Sequence, residues 1–423
     1  QLTSTSGAAP TSGASAATAV TRALAVTLTL AVTLAIGATL ILAVGASPVS
    51  AQDVALSGQV RPRYEFRDPV AGGLDDFTSM RVRLGVDALL EPGRAVFVQV
   101  QDVRIWGEES HPLFDFSADA LDLHQGYLRF RGQGWGWLTT TVGRMESVLG
   151  GQRLLGAVDW TQQGQSFDGL RFDVDAGRSD WVFLAFAVSD DSAPGVTNEE
   201  ELYGAYGTVG GIGPGALALY WLYDRISRTV ESDEHFVGAR YVFGGDVVGR
   251  MEGTYALGTR DGVDVRAFLV GGRVGSTFAG GRLTATLWYD YLSGDDPATP
   301  EVEVFRTLYA TNHKFYGFAD LFLNIPAHTG GAGLQDLALK LLFRPTDVMQ
   351  LNLDLHSFRA AEGGGLTDTR FGEEIDLTVR HRYSSHLSAT FGLSHVLQGP
   401  RLAEMGRLGQ DMTWVYVMLD ATF

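Results

Sequence analysis

The sequence contains no cysteine and almost no lysine. Without thiols the chain forms neither disulfides nor cysteine-ligated metal sites, and their absence suits an exported protein that must avoid stray disulfides. Of its 32 basic residues, only Lys314 and Lys340 are lysines. The other bases are arginines, whose planar guanidinium groups make two-point contacts with carboxylates that lysine does not make.

Positive net charge is also lacking. The formal net charge is −17, from 49 acidic and 32 basic residues. A nucleic-acid partner requires a basic face that neutralises phosphates, so the sequence predicts that the protein does not bind nucleic acid.

Long hydrophobic runs are confined to the N-terminal segment. Residues 1–51 carry one charge, Arg22, and residues 23–45 are uncharged and mostly apolar. The small-x-small sequence Val49-Ser50-Ala51 follows, which predicts a secretory signal peptide cleaved after Ala51. The alternative is an uncleaved anchor, because about 20 apolar residues can span a bilayer. The predicted domains are therefore a signal peptide at 1–51 and one mature domain at 52–423.

The mature chain alternates polar and apolar residues instead of following a helical period. In "SGQVRPRYEF", for example, Arg61 and Arg63 alternate with Val60 and Tyr64. Successive side chains of a strand point to opposite faces, so each such segment has a charged face and an apolar face. About eighteen segments of this kind, each long enough to cross a bilayer when tilted, can be counted.

The lengths of the connections support the same interpretation. Links after even-numbered segments are short, whereas most links after odd-numbered ones are long, with short exceptions after segments 9 and 11. This asymmetry is typical of an outer-membrane protein with both termini in the periplasm. The predicted fold is thus all-β: a transmembrane antiparallel β-barrel of about eighteen strands, with short periplasmic turns and long extracellular loops. A soluble sandwich or propeller is the alternative, and it would need polar outer faces.

The last segment predicts how the barrel closes. Residues 411–423 alternate up to Phe423, and pairing with the first segment would leave no open edge. A terminal aromatic strand of this kind resembles the signal read by the outer-membrane insertion machinery. The expected location is the outer membrane of a Gram-negative-type bacterium, in contact with its lipid and lipopolysaccharide.

Four motifs resemble those of the alginate export family of outer-membrane barrels. They are "DLHQGYLRF" from Asp122, "VGRME" from Val142, "GGQRLLGAVDWTQQGQSFDGLRF" from Gly150 and "HKFYGFADLF" from His313. The resemblance implies an eighteen-stranded barrel whose lumen is lined with arginines for an anionic polysaccharide. The scarcity of lysine and the short loops after segments 9 and 11 depart from that pattern.

The candidate site is the lumen. If the apolar face of each strand contacts lipid, the charged face lines the lumen. This assignment, together with the motifs, predicts that the substrate binds these arginines: Arg61, Arg63, Arg81, Arg83, Arg129, Arg131, Arg144, Arg153, Arg171, Arg240, Arg250, Arg266, Arg380 and Arg382. A constriction is expected from two long loops, with residues Trp160, Phe167, Asp168, His313 and Lys314. Simple packing of Trp160 and Phe167, and a structural role for His313, stay open as alternatives.

The predicted function is an outer-membrane channel for export or diffusion of an anionic solute, such as an alginate-like uronic-acid polysaccharide. The alternative is a general or substrate-specific uptake porin for small anions or sugars. A barrel that serves as an adhesin or enzyme is the third class, but no Ser-His-Asp spacing or paired metal ligands are readable. No enzyme activity, cofactor or metal is predicted.

Overall fold

The structure is a computed structural model, which describes residues 53–68, 76–108, 121–132, 135–190, 198–363 and 367–423. The predicted signal peptide and its cleavage after Ala51 lie outside these residues. Residues 69–75, 109–120 and 191–197, which make up most of three predicted loops, also lie outside them. Among the described residues, no helix has the length and apolar character that crossing a membrane requires.

Eighteen strands form one sheet, which confirms the predicted strand number. They are β1 Val54–Asp68, β2 Asp76–Glu91, β3 Arg94–Ile105, β4 Asp122–Gly132, β5 Trp135–Met145, β6 Phe167–Asp175, β7 Ser179–Asp190, β8 Glu199–Ile212, β9 Gly215–Ser227, β10 Ser232–Phe243, β11 Val247–Arg260, β12 Val263–Phe278, β13 Leu283–Leu292, β14 Leu334–Thr346, β15 Met349–Arg359, β16 Arg370–Arg382, β17 Leu387–Gln398 and β18 Met412–Thr422. Two short α-helices, α1 Ile325–Thr329 and α2 Pro400–Glu404, and two 3₁₀ turns, Ala279–Gly281 and Asn312–Lys314, complete the described elements.

Each strand pairs with its neighbours in sequence, and β18 pairs antiparallel with β1 to close the barrel. The closing register sets Gln59 opposite Thr422 and Arg67 opposite Trp414. Backbone hydrogen bonds between Gly58 and Phe423 (2.9 and 3.1 Å) extend this pairing to the last residue. Closure satisfies the backbone groups that an open sheet would expose to lipid.

The outer face of the barrel is apolar, as the alternation predicts. Leu219, Val237, Met251 and Val270 lie on four neighbouring strands, and all are exposed. Because charge costs roughly 2–4 kcal/mol at the bilayer midplane, this face is the one that contacts lipid. Alternate residues therefore point into the lumen.

The two ends of the barrel differ. The turn end carries short connections such as residues 92–93 and 347–348, and Gly93 adopts the positive φ of +83° that such a tight turn requires. The loop end carries the long connections, with short ones at 228–231 and 261–262 after β9 and β11. This is the asymmetry that the sequence predicts.

Two long loops fold into the lumen. The first inner loop comprises residues 146–166 between β5 and β6, and the second inner loop comprises residues 293–333 between β13 and β14. Their fully buried side chains include Leu155, Phe305, Phe315 and Phe322. These side chains belong to one apolar cluster with inward-facing wall residues, which include Phe186, Leu202, Leu222, Phe236, Ala256 and Ala267. The second inner loop thus enters the barrel, as expected of a loop that contributes to a constriction.

Candidate functional site

Most of the sequence-predicted arginines point into the lumen. Cross-strand pairing sets Arg83 opposite Gln101, Arg240 opposite Glu252 and Arg380 opposite Thr390, all on the inner face. Arg153 lies in the first inner loop and is buried inside the barrel. The strand-borne arginines that share the inner face are Arg61, Arg63, Arg81, Arg83, Arg129, Arg131, Arg171, Arg240, Arg250, Arg380 and Arg382.

The prediction is wrong for Arg144 and for Asp168. Arg144 lies on the same face of β5 as exposed Val142 and pairs with Gly126 of β4, so it faces outward. It makes an ion pair of 2.6 Å with Asp168, which is opposite it on β6 and also faces outward. Both residues lie at the loop end of their strands, where each charge is offset by its partner. Asp168 is therefore no part of a constriction.

The prediction is also wrong for Arg266. Its neighbours Ala267 and Val265 are buried against the second inner loop, so Arg266 faces outward and contacts Glu301 at 2.9 Å. The apolar face was expected to face lipid, but here protein fills the lumen and apolar residues also line the inner face. Alternation alone does not distinguish the two faces of such a strand.

The four buried arginines of β1 and β2 hold the first inner loop against the wall. Their guanidinium groups donate to successive groups of that loop: Arg63 to the Trp160 carbonyl at 2.7 Å, Arg61 to the Thr161 carbonyl at 2.8 Å, Arg81 to the Asp159 carboxylate at 2.8 Å and Arg83 to the Gln163 carbonyl at 3.2 Å. Charged donors strengthen hydrogen bonds to carbonyls, so these side chains order the loop. Much of their donor capacity is therefore committed to structure.

His124 and Glu146 close the base of the same loop. The His124 Nε2 and a Glu146 carboxylate oxygen lie 2.7 Å apart, and Arg83 donates to that carboxylate at 3.2 Å. The Ser166 hydroxyl contacts the His124 Nδ1 at 3.3 Å. Residues from three of the four motifs therefore meet where the loop leaves β5 and enters β6. His124 was missed as a site residue, although it stands in the quoted motif "DLHQGYLRF".

The two inner loops are hydrogen-bonded to each other. Amides of Gly156 and Thr311 donate to carbonyls of Tyr309 and Gln152, each at 3.0 Å. Phe167 packs below this junction, with its ring 5.5 Å from Tyr309 and 5.2 Å from Phe186, so it has a packing role. The inner loops form a single inward-folded body.

Trp160 lies in a transverse stack of side chains inside the barrel. The Arg63 guanidinium lies 4.2 Å from its ring centre on one side, and the His313 ring stacks at 4.1 Å with the planes 5° apart. Phe318 follows His313 at 5.0 Å, and the His313 Nδ1 lies 2.6 Å from a carboxylate oxygen of Asp320. Both sequence-predicted residues, Trp160 and His313, are thus brought together.

Two cavities share Trp160 in their linings. The loop-end cavity, about 390 Å³, is lined by Arg63, Arg67 and Glu108 among others. The turn-end cavity, about 470 Å³, is lined by residues near the other end of β15 to β18, which include Arg380 and Asp420. The stack therefore lies where the two halves of the lumen meet, and it forms the candidate constriction.

The turn-end cavity combines cations with sugar-compatible polar groups. Arg61, Lys314 and Arg380 supply positive charge. Amide and hydroxyl side chains complete the lining: Gln152, Gln350, Asn352, Thr311, Thr378, Ser388 and Thr390. Guanidinium and ammonium groups bind carboxylates, while amides and hydroxyls both donate to and accept from sugar hydroxyls.

The inner wall also carries acids that sequence reasoning missed. Asp224 and Glu234 are fully buried and contact Arg306 of the second inner loop at 2.5 and 3.0 Å. Asp290 makes a buried ion pair with Arg153. Further missed residues on the inner face are Asp336, Glu374, Arg260, Arg273 and Lys340. Assigning every second residue to the inner face along the full length of each strand, up to its loop end, would have identified most of them.

The comparisons with known proteins agree with this architecture. The model of the alginate export family matches residues 53–408. Among solved structures, the chain is similar to Pseudomonas aeruginosa OccK3 (OpdO), with 13% identity, TM-score 0.61 and coverage of 88% of this chain and 96% of that one. Acinetobacter baumannii OccAB4 is similar with 11% identity, TM-score 0.61 and coverage of 89% and 100%. No curated protein sequence matches the chain at a significant level.

Because these identities are low, the structural similarity defines only the fold, which is that of eighteen-stranded outer-membrane porins. The family match spans most of the chain, including both inner loops and nearly every strand. The chain belongs to the alginate export family of outer-membrane β-barrel channels.

Proposed function

We propose that the barrel conducts an anionic solute, and that this solute is a uronic-acid polysaccharide such as alginate. The observation that carries the proposal is the lining of the turn-end cavity, where Arg61, Lys314 and Arg380 stand among amides and hydroxyls. A uronic acid presents one carboxylate and several hydroxyls per sugar, which match these two kinds of group.

The cavity is suited to passage more than to tight retention. Its cations are distributed over β1, the second inner loop and β16, and the carboxylates of Asp159 and Asp420 lie in the same lining. Conduction requires several weak sites, because one tight site would stall the solute. A polyanion moves from one such site to the next as each of its carboxylates is exchanged.

An uptake porin for small anions or sugars is the second candidate. The observation that favours it is the constriction, where Trp160 is covered on both faces and the cavities have volumes of about 390 and 470 Å³. Volumes of this size fall in the range of small-ligand sites, roughly 300–1,000 Å³. Genomic neighbours separate the candidates: polysaccharide synthesis genes favour export and catabolic genes favour uptake.

The test is block of single-channel current in planar bilayers by mannuronate oligosaccharides, compared with neutral oligosaccharides of equal length. Block by the charged series alone supports the proposal, and Arg380→Gln should weaken that block. Arg225→Gln is the matched control, because Arg225 lies on the outer face in contact with Glu201. Equal block by neutral and charged sugars would contradict the proposal, and block by small anions alone would favour the uptake porin.

A further inference from the structure

The charges of the inner wall are unevenly distributed along the barrel axis, and a local group of bases in the turn half lacks carboxylate partners. In the half of the strands nearest the loops, the inward-facing acids are Glu65, Glu200, Asp224, Glu234, Asp290, Asp336, Glu374 and Asp376. In the half nearest the turns, the inward-facing bases are Arg129, Arg131, Arg240, Arg250, Arg273, Arg380 and Arg382. Inward-facing bases also lie in the loop half, where they bind carboxylates or the first inner loop: Arg63, Arg67, Arg81, Arg83 and Arg260. Inward-facing acids also lie in the turn half, and they include Asp87, Asp173, Glu252 and Asp420.

Within the turn half, one group of bases is short of carboxylates. Glu252 lies within 3.9 Å of each of Arg153, Arg240 and Arg250, and Asp290 also contacts Arg153 and Arg250. Two acids thus serve three arginines. Within the described part of the chain, Arg273 makes no ion pair, and its guanidinium lies 4.9 Å from the centre of the Trp288 ring.

Lys314 completes this group from the second inner loop. Its ammonium is exposed, makes no ion pair with a described carboxylate and lies 3.5 Å from the carbonyl of Gly151, which the Arg240 guanidinium also approaches. The ammonium also lies 5.8 Å from the Phe315 ring, and Phe315 in turn packs at 6.5 Å from Trp288, the ring that Arg273 covers. Partial loss of water inside the barrel lowers the pKa of Lys314, and the positive charges of Arg273, Arg240, Arg250 and Arg153 lower it further. The ammonium therefore stands in a locally positive field.

Lys314 also belongs to the turn-end cavity, which Arg61 and Arg380 line from the opposite wall. It is consequently the residue that joins the two basic groups of the turn half. An anion entering from the turn end meets Lys314 before it reaches the stack at Trp160.

We propose that Lys314, Arg240 and Arg273 form an anion-binding station in the turn half, which takes one carboxylate of the solute and makes the channel electrically asymmetric. This inference rests on the proposed channel function and adds the side from which the solute is captured. Capture from the turn end, the periplasmic side, is faster because the uncompensated cations steer the anion there. The loop half offers no matching excess of positive charge.

The test measures sidedness in bilayers that contain channels of one orientation. A mannuronate tetrasaccharide is added to one chamber and then to the other, and the rate of block and the asymmetry of the chloride current with voltage are recorded. Since the chain has no cysteine, an impermeant thiol reagent acting on Arg228→Cys in the loop between β9 and β10 reports the orientation.

We expect faster block from the turn side, and loss of that difference in Lys314→Met and in Arg273→Gln. Lys314→Arg should keep the difference, and the outer-face control Arg225→Gln should leave it unchanged. Heat-modifiable migration of each variant verifies that its barrel is folded.

Equal block from the two sides in the wild type overturns the station and leaves the anionic channel in place. If the tetrasaccharide blocks the wild type from neither side, the proposed uronate solute is overturned. The asymmetry of the chloride current then becomes the test of the station. Loss of the chloride asymmetry in Lys314→Met would support the station, and an unchanged asymmetry would overturn it.

Discussion

The rings of Trp160 and His313 lie parallel inside the barrel, with centroids 4.1 Å apart and planes at 5°. One ring belongs to the first inner loop and the other to the second, so this contact joins the two loops between the cavities. The Arg63 guanidinium covers the remaining face of Trp160 and ties the pair to β1. The width of the passage therefore depends on how firmly these groups are held.

Replacing Trp160 with Ala should raise single-channel conductance and its noise. The substitution removes the contacts of the Trp160 ring with His313 and Arg63. A stacked aromatic pair alone stabilises a structure by about 0.5–1.5 kcal/mol. Trp160→Phe keeps a ring and should retain most of the wild-type conductance. Conductance traces of the folded variants check this, and an unchanged value for Trp160→Ala would place the constriction elsewhere.

Replacing Arg153 with Met should destabilise the inner loops. Arg153 makes buried ion pairs with Asp290 and Glu252, and removing one partner of a buried pair costs about 3–5 kcal/mol. The measurement is the denaturant or temperature midpoint of heat-modifiable migration.

The pair of exposed Arg266 and partly buried Glu301 supplies the control for that experiment. Arg266→Gln should change stability by about 0–1 kcal/mol, because the Arg266 side chain is exposed on the outer face of the barrel. Comparable losses in the two variants would show that burial is not the source of the effect.

The barrel was predictable from the sequence because lipid covers one face of every strand. Every second side chain of a strand is therefore apolar, and this alternation is visible in the sequence. The eighteen strands match the number of alternating segments, and the short links after β9 and β11 also match. The pairing of β18 with β1 follows from the need to leave no edge.

The interior was less predictable. Whether an inward position meets water or protein depends on where the two inner loops fold, and this depends on contacts between residues distant in sequence. Arg266 was misplaced because Ala267 packs on the second inner loop. The contact of Trp160 with His313 could not be inferred from spacing, although both residues were predicted to lie in the constriction.

Anion selectivity should fall as pH rises, starting below the usual pKa of lysine, about 10.4. Because the pKa of Lys314 is lowered in the folded barrel, its ammonium loses its proton at a lower pH than an ordinary lysine. Reversal potentials measured across this range check the prediction. Lys314→Arg should remove the dependence, since arginine stays charged, and a persistent decline in that variant would assign it to other groups.

The orientation of the barrel predicts which single cysteines react on intact cells. Arg228→Cys lies in a connection at the loop end and should react with an impermeant maleimide, whereas Asp347→Cys lies in a turn at the other end and should not. The chain has no native cysteine to interfere. Reaction at both positions in intact cells would contradict the orientation.

The most direct test of an anion-conducting lumen is the reversal potential of the refolded wild-type channel in a gradient of potassium chloride. The inward arginines and Lys314 predict anion selectivity at low salt, which weakens as the rising ionic strength screens their charges. Selectivity for cations at low salt would contradict the account, because it would mean that the inner-wall acids, among them Asp224 and Glu374, control the field along the path.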